Sequence, residues 1–290
     1  MLIKATTLKG YTLNSLDGEI GKVKEFYFDD RHWTIRYLVA DTGHWLTGRQ
    51  VLISPHALVS VNREEQQIGI DLTKKQIEDS PSLDSDKPVS RQFEATYYGH
   101  YGWPIYWGGP YMWGSSGYPG IIPDAEQMRQ PDPVNSPYRM DTSPTKMPTP
   151  EPSLALARDA STWDAHLRST QHVSGYHIQA ADGEIGHVDD FVIDDETWAI
   201  RYLRVDTVNW WPGKKVLVAA RWIERVSWDE SKVFINLSRA AIKQAPEYTE
   251  ESLLSRDYES RLHGHYNRQD YWVDEPVAHE QSKPKPSLTK

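Results

Sequence analysis

Two pairs of adjacent acids, Asp29-Asp30 and Asp194-Asp195, are the first residues in this chain whose type and spacing could do chemistry. Neighbouring carboxylates can hold a hard cation through oxygen ligands, or divide acid and base roles between them. Glu25 and Asp189-Asp190 lie close by in sequence. Each pair, however, sits between two β-patterned runs, where Asp favours a chain reversal by accepting from nearby backbone N–H groups. No EF-hand spacing surrounds them, so they read as turn residues. Asp41 and Asp206 close apolar runs that also carry Arg36 and Arg201, which offer them ionic partners and a structural role. His263-Gly264-His265 brings two imidazoles together, but the corresponding earlier positions are Tyr98 and His100, and no further ligands recur around them. These histidines read as surface or helix-end residues.

The absences narrow the field further. The chain has no cysteine, which removes disulfides, thiolate metal sites and cysteine nucleophiles together. It has no phosphate-binding Gly-Lys-Ser/Thr loop, no dinucleotide glycine motif and no His-Glu-x-x-His. It also lacks the Gly-x-Ser-x-Gly nucleophile elbow. No catalytic, cofactor-binding or metal-binding residue is assigned, and the expected chemistry is recognition. The formal net charge of -9 falls on both halves, so long-range attraction to nucleic acid phosphates is not expected.

Aromatic residues are the strongest candidates for recognition. There are 12 tryptophans. Trp45, Trp210 and Trp211 lie in loop-like stretches beside Gly48 or Gly213, where an indole can fold over the domain or anchor a partner. Tyr106, Trp107, Tyr271 and Trp272 join them as candidate contact residues. From Tyr97 through Pro123 there is no charged residue, so this segment either packs along its domain or forms an apolar recognition surface.

The elements that position these residues come in two copies. An offset of 165 residues places Tyr11 on Tyr176, Asp17-Gly18-Glu19-Ile20-Gly21 on Asp182-Gly183-Glu184-Ile185-Gly186, and Phe26 on Phe191. It also places Trp33 on Trp198, Ile35-Arg36-Tyr37-Leu38 on Ile200-Arg201-Tyr202-Leu203, Trp45 on Trp210 and Val51-Leu52 on Val216-Leu217. No gap is needed as far as Trp107 and Trp272, and roughly a third of the positions are identical. A period this long marks a duplicated domain, since solenoid units span ~20–50 residues.

Within each copy, Asp17-Gly18 predicts a hairpin turn. Ile20 to Phe28 predicts a strand, Asp29 to His32 a reversal, and Trp33 to Val39 a returning strand with alternating faces. Short strands follow at Gln50–Ile53, Leu58–Asn62 and Gln67–Asp71. Thr73 and Ser238 are N-cap signals for a short helix ended by Pro81 or Pro246. A second helix starts near Ser90 or Ser255 and runs towards Tyr101 or Tyr266. Short strands with regular turns predict a small barrel or sandwich.

The predicted organisation is a first β domain with a helical and aromatic tail at 1–107, a Pro/Gly-rich linker at 108–165, a second domain at 166–272 and a disordered tail at 273–290. Ser153 to Arg168 shows loose helical spacing ahead of the second copy. The N-terminus lacks an apolar signal core. The glycines and prolines between Tyr97 and Pro123 break any membrane-spanning helix.

Each copy resembles the PRC-barrel domain, a small β-barrel named after the extramembrane part of the photosynthetic reaction-centre H subunit. A similar barrel forms part of a bacterial 16S rRNA processing factor. The motifs that carry the resemblance are Leu16 to Gly21, Trp33 to Val39 and Trp45 to Pro55, with Trp198–Leu203 and Trp210–Val218 in the second copy. The stretch from Ser255 through Glu259, His265-Tyr266 and Tyr271-Trp272 is similar to the tail that follows the barrel in bacterial tandem members. The resemblance implies two tandem barrels that dock on other macromolecules and do no catalysis. The membrane helix of the H subunit and the N-terminal domain of the rRNA factor have no counterpart in the sequence.

The expectation is therefore a mainly β, two-barrel, cytoplasmic protein with short flanking helices, acting as a protein–protein interaction or scaffold module, regulatory or stress-related. Its two barrels either pair with each other as a pseudo-dimer or assemble as a homo-oligomer. Peripheral association with photosynthetic or electron-transfer membrane complexes, and a ribosome or RNA-processing role, are the alternatives.

Overall fold

The computed structural model describes residues 1–43, 45–46, 49, 51–82, 89–119, 167–207, 214–249 and 255–273. In chain order the first half carries β1 (Leu2–Lys4), α1 (Ala5–Leu8), β2 (Thr12–Ser15), β3 (Gly18–Asp29), β4 (Thr34–Asp41) and β5 (Val51–Ile53). It continues with β6 (Leu58–Asn62), β7 (Gln67–Ile70), α2 (Lys74–Glu78) and α3 (Arg91–Tyr101). The second half repeats the order: β8 (Leu167–Ser169), α4 (Thr170–Val173), β9 (His177–Ala180), β10 (Gly183–Asp194), β11 (Ile200–Asp206), β12 (Lys215–Ala219), β13 (Ile223–Ser227), β14 (Lys232–Ile235), α5 (Arg239–Gln244) and α6 (Arg256–His265).

The fold is mainly β, with two seven-stranded sheets. Their strand orders correspond: β5-β4-β3-β2-β7-β6 in one and β12-β11-β10-β9-β14-β13 in the other. Within these paths neighbours are antiparallel, except that β2 runs parallel to β7 and β9 parallel to β14.

The seventh strand of each sheet comes from the other half of the sequence. β1 pairs with β10, and β8 pairs with β3. The compact units are accordingly Gly10–Arg168, and Met1–Lys9 together with Ser169–Lys290. The sequence repeat assigns residues 1–9 to the first copy, whereas the fold joins them to the sheet of the second.

Local sequence explains most of the elements. The Asp17 carboxylate accepts from Lys74 N–H at 2.7 Å, and Asp182 accepts from Arg239 N–H at 2.7 Å. The Asp of each Asp-Gly turn therefore also ties its hairpin to the start of the following short helix. Thr73 and Gln76 close a capping box on α2, and Ser238, Ser90 and Ser255 cap α5, α3 and α6 as their spacing predicts. Gly102, in the left-handed region, ends α3. Gly21 and Gly186 sit at φ 134° and 145°. A Cβ there would lie 2.1 Å from the Asp41 carbonyl oxygen and 2.0 Å from that of Asp206, so both positions accept only glycine.

The structure adds to one sequence expectation for this strand and corrects another. Every residue of β4 from Thr34 to Ala40 is buried, so both of the alternating faces of this strand are covered. Trp33 precedes the strand and lies at φ 52°, matched by Trp198 at φ 60°. Such a backbone is costly for a bulky residue and persists when surrounding packing imposes it. Here the Trp33 ring is buried and stacks on Phe28, with centroids 5.1 Å apart.

The uncharged segment after α3 packs onto its own unit through residue 119: Tyr106 and Trp113 are buried, and bridges join Tyr111 to Gly114 and Trp113 to Ser116. The rest of the expected linker, the helical spacing from Ser153 up to residue 166, and residues 274–290 lie outside the described residues. Arg168 belongs to β8. No helix among the described residues is long and apolar enough to cross a membrane.

Candidate functional site

Buried polar residues gather where the last helix of each repeat crosses its central strand. In the Gly10–Arg168 unit, β4 supplies Arg36 and Tyr37, the end of β3 supplies Asp29, and α3 supplies Arg91 and Glu94. The Glu94 carboxylate accepts from the hydroxyls of Tyr37 (3.2 Å) and Tyr106 (2.7 Å). Arg36 is completely buried and donates to Asp29 at 2.9 Å. Its Nε and Nη1 have no hydrogen-bond partner among the described residues; the guanidinium lies 3.7 Å from the ring centre of Tyr106 and 4.6 Å from that of Trp113. Two π faces thus stand where acceptors would be expected.

The second repeat rebuilds this arrangement in the unit of Met1–Lys9 and Ser169–Lys290. Glu259 accepts from Tyr202 and Tyr271, both at 2.9 Å, and from Arg256 at 3.1 Å. Arg201 donates twice to Asp194, at 2.8 and 3.2 Å, and once to Thr197 at 3.2 Å. The ring of Tyr271 lies against it at 4.2 Å. His263 is buried, between the Tyr202 hydroxyl at 3.0 Å and the Gln269 carbonyl at 2.9 Å. It lies in the last turn of α6, one of the two placements the sequence reading offered, but away from the surface. His265 instead reaches the Ala241 carbonyl at 2.8 Å, so the two imidazoles of the His-Gly-His stretch serve different partners.

Electrostatics make these clusters structural clamps. Burial pushes the Asp29 carboxyl up, but the hydrogen bond with His32, the charge and hydrogen bond of Arg36 and the Arg31 backbone N–H together hold it far below the usual carboxylate range. Asp194 is likewise lowered, burial being outweighed by Arg201 and by the Glu196 backbone. Burial, and then the Glu94 charge, raise Tyr37 and Tyr106 strongly; burial and Glu259 do the same to Tyr202 and Tyr271. The tyrosines stay protonated and keep donating. The arginine partners of β4 and β11 are therefore Asp29 and Asp194, not Asp41 and Asp206 as the sequence spacing suggested. The second acids of the pairs hold the exchanged segments: Asp30 takes Arg168 at 3.1 Å, and Asp195 takes the Met1 amine.

The candidate contact aromatics divide between interior and surface. Tyr106 and Tyr271 are buried in the clamps. Trp107 and Trp272 are half-buried and lie against Arg91 (4.4 Å) and Arg256 (4.5 Å). Trp45 is half-buried beyond the end of β4, with the Lys74 ammonium 6.0 Å from its ring centre. A cleft of about 360 Å³ lies against it, lined by Glu19, Ile20, Lys22, Asp41 and Thr42 among others. A second of about 220 Å³ runs past Asp41 to Lys24, Leu46 and Arg49. Trp210 and Trp211 lie outside the described residues. No group of three or more potential metal ligands occurs among the described residues.

Residues 2–77 match the family model described as the PRC-barrel domain. The first repeat therefore carries a PRC-barrel sequence match. The match does not extend to the second repeat, which shares its strand order and a third of its residues with the first. PRC-barrel domains commonly mediate interactions and the family is generally non-enzymatic. The matched span includes residues 2–9, so this PRC-barrel sequence contributes its first strand to one sheet and the rest to the other. No curated protein matches the chain.

The sequence singled out Asp29 as a turn residue and Tyr106 and Tyr271 as contact candidates, without their place in the buried clusters, and did not single out Glu94, Glu259, Arg91 and Arg256 as site residues. The signal for these four was their identity across the repeat offset, because polar residues that recur inside apolar surroundings mark a shared buried network.

Proposed function

We propose that this chain is a non-catalytic interaction module that docks a protein partner through the surface around Trp45. The observation that carries this reading is a half-buried indole on the wall of a cleft of about 360 Å³, beside charges of both signs at Glu19, Lys22, Asp41 and Lys74. An aromatic side chain already partly fixed by its own domain loses little freedom on binding, and such residues dominate interface energetics. Trp210 holds the same repeat position in the sequence, and a second contact made there would raise avidity for a repeated or symmetric partner.

The test compares capture by the full chain with capture by its Trp45→Ala/Trp210→Ala variant, identifying bound proteins by mass spectrometry. The expected result is a specific partner lost in the variant while cooperative thermal unfolding is retained. A partner held equally well by the variant would refute the Trp45 surface. Loss of cooperative unfolding would show that these indoles belong to the core.

A further inference from the structure

The segment Leu2–Leu8 is held as a ligand would be. β1 adds to the edge of β10 in antiparallel register, with Leu2 opposite Asp194, Ile3 opposite Ile193 and Lys4 opposite Val192. The rest of that edge is already occupied by β9, which pairs with residues 183–187. The one-turn helix α1 follows, and its Thr6 N–H donates to Asp190 at 3.2 Å while the Thr6 hydroxyl reaches the other oxygen of the same carboxylate. Leu2, Ile3, Ala5 and Leu8 are all buried. Main-chain pairing along a sheet edge, with pockets for selected side chains, is the way strand addition recognises an extended peptide.

We propose that the edge of β10 from Asp190 to Asp194 is an acceptor site for an extended apolar segment, filled in this chain by its own residues 2–8, and that this donation and its counterpart at β3 lock the two halves of one polypeptide together without the intervening covalent link. The counterpart uses the same repeat position: β8 lies beside β3, Leu167 is buried where Leu2 is, and Arg168 pairs with Asp30. The specificity of the β10 site rests on two features, the apolar Ile3 and the Thr6 bonds to Asp190. Leaving the site empty would expose the backbone groups of residues 192–194 as an unpaired edge.

The experiment uses the full chain with a protease site inserted in its Pro-rich stretch between residues 120 and 166, and a second version carrying Ile3→Cys and Ile193→Cys. The natural sequence has no cysteine, so only one disulfide can form. After cutting, the protein is expected to elute from a sizing column as the uncut chain does, and the oxidised cysteine pair to join the two fragments on a non-reducing gel. A cut Ile3→Asp variant is expected to release its halves. Separation of the cut unsubstituted chain into two half-size species would overturn the proposal, as would failure of the cysteine pair to link the fragments. A disulfide-linked dimer of the uncut chain would show donation between molecules and overturn the single-chain lock.

Discussion

Arg36 and Arg201 occupy the same place in the two repeats, yet they are neutralised by different means. Arg36 makes one hydrogen-bonded ion pair, and its remaining donors face the rings of Tyr106 and Trp113. Arg201 donates to both Asp194 and Thr197 and lies against the Tyr271 ring. The substitutions responsible are visible in the alignment of the copies: His32 and Arg31 in the first correspond to Thr197 and Glu196 in the second. His32 takes one oxygen of Asp29 at 2.8 Å, while Thr197 supplies an extra acceptor to Arg201. The aromatic segment through Trp113 then covers Arg36. Near Arg201, Asp194, Arg256, Glu259 and Tyr271 instead line a cleft of about 220 Å³. A duplicated buried charge can thus be preserved by aromatic faces in one copy and by oxygen acceptors in the other.

The sharpest way to break this comparison is to remove each carboxylate in turn. Asp29→Ala leaves Arg36 buried without an ion pair and is expected to cost about 3–5 kcal/mol, the usual range for orphaning a buried charge. Asp194→Ala is expected to cost less, because Arg201 keeps Thr197 and is slightly exposed. Urea unfolding of the full chain reads both; equal losses would mean that the extra acceptor and the exposure count for nothing.

Acid tests a smaller difference. His56 sits among Tyr98, Trp103 and Trp113, and neither ring nitrogen has a hydrogen-bond partner among the described residues. Burial, reinforced by the Arg36 charge, lowers its pKa from 6.5 to about 4. The unfolded chain takes up this proton first, so the stability is full above pH 6.5 and declines as the pH falls towards 4, by up to about 2–3 kcal/mol. Asp29 and Asp194, both depressed, add their own loss only below the ordinary carboxylate value near 4. Melting curves between pH 7 and 4.5 are expected to fall more steeply for the natural chain than for His56→Phe. Parallel curves would remove His56 from the account. The second repeat has Arg221 at this position and no such slope from it.

The smallest effect belongs to Thr197→Ala. It removes one acceptor from Arg201 while Asp194 keeps two bonds, so a loss of about 1 kcal/mol is expected in the same urea measurement. A loss as large as that of Asp194→Ala would mean that the hydroxyl, not the carboxylate, holds the guanidinium.

Local signals made much of this fold legible. Asp-Gly turns, the Thr73, Ser90, Ser238 and Ser255 caps and the apolar runs each specify a short stretch through contacts within a few residues. The repeat offset supplied the two-unit organisation. The sequence placed the side chains of Trp33 to Val39 on alternate faces but not that both faces are covered, because a doubly buried strand carries no period-two hydropathy signal. The backbone of Trp33 depends on packing against Phe28, which no turn propensity encodes. Strand exchange left no local trace: no strand is predicted at Leu2–Lys4, and nothing in three residues says whether a partner lies 20 or about 190 positions away. At the candidate site, the indoles were legible as types, but whether each was interior or exposed depended on the clamp residues around it.

The exchange also sets an order of events during synthesis. Leu2 finds its partner at Asp194, so the first strand has nowhere to settle until β10 has left the ribosome. At ~5–20 residues per second, that is a wait of roughly 10–40 s. Throughout it, Leu2, Ile3 and Leu8 remain uncovered, and the β3 edge waits longer than its own repeat needs for its β8 strand. The length of that interval scales inversely with the rate of translation, so slower synthesis leaves these apolar residues without their partner strand for longer.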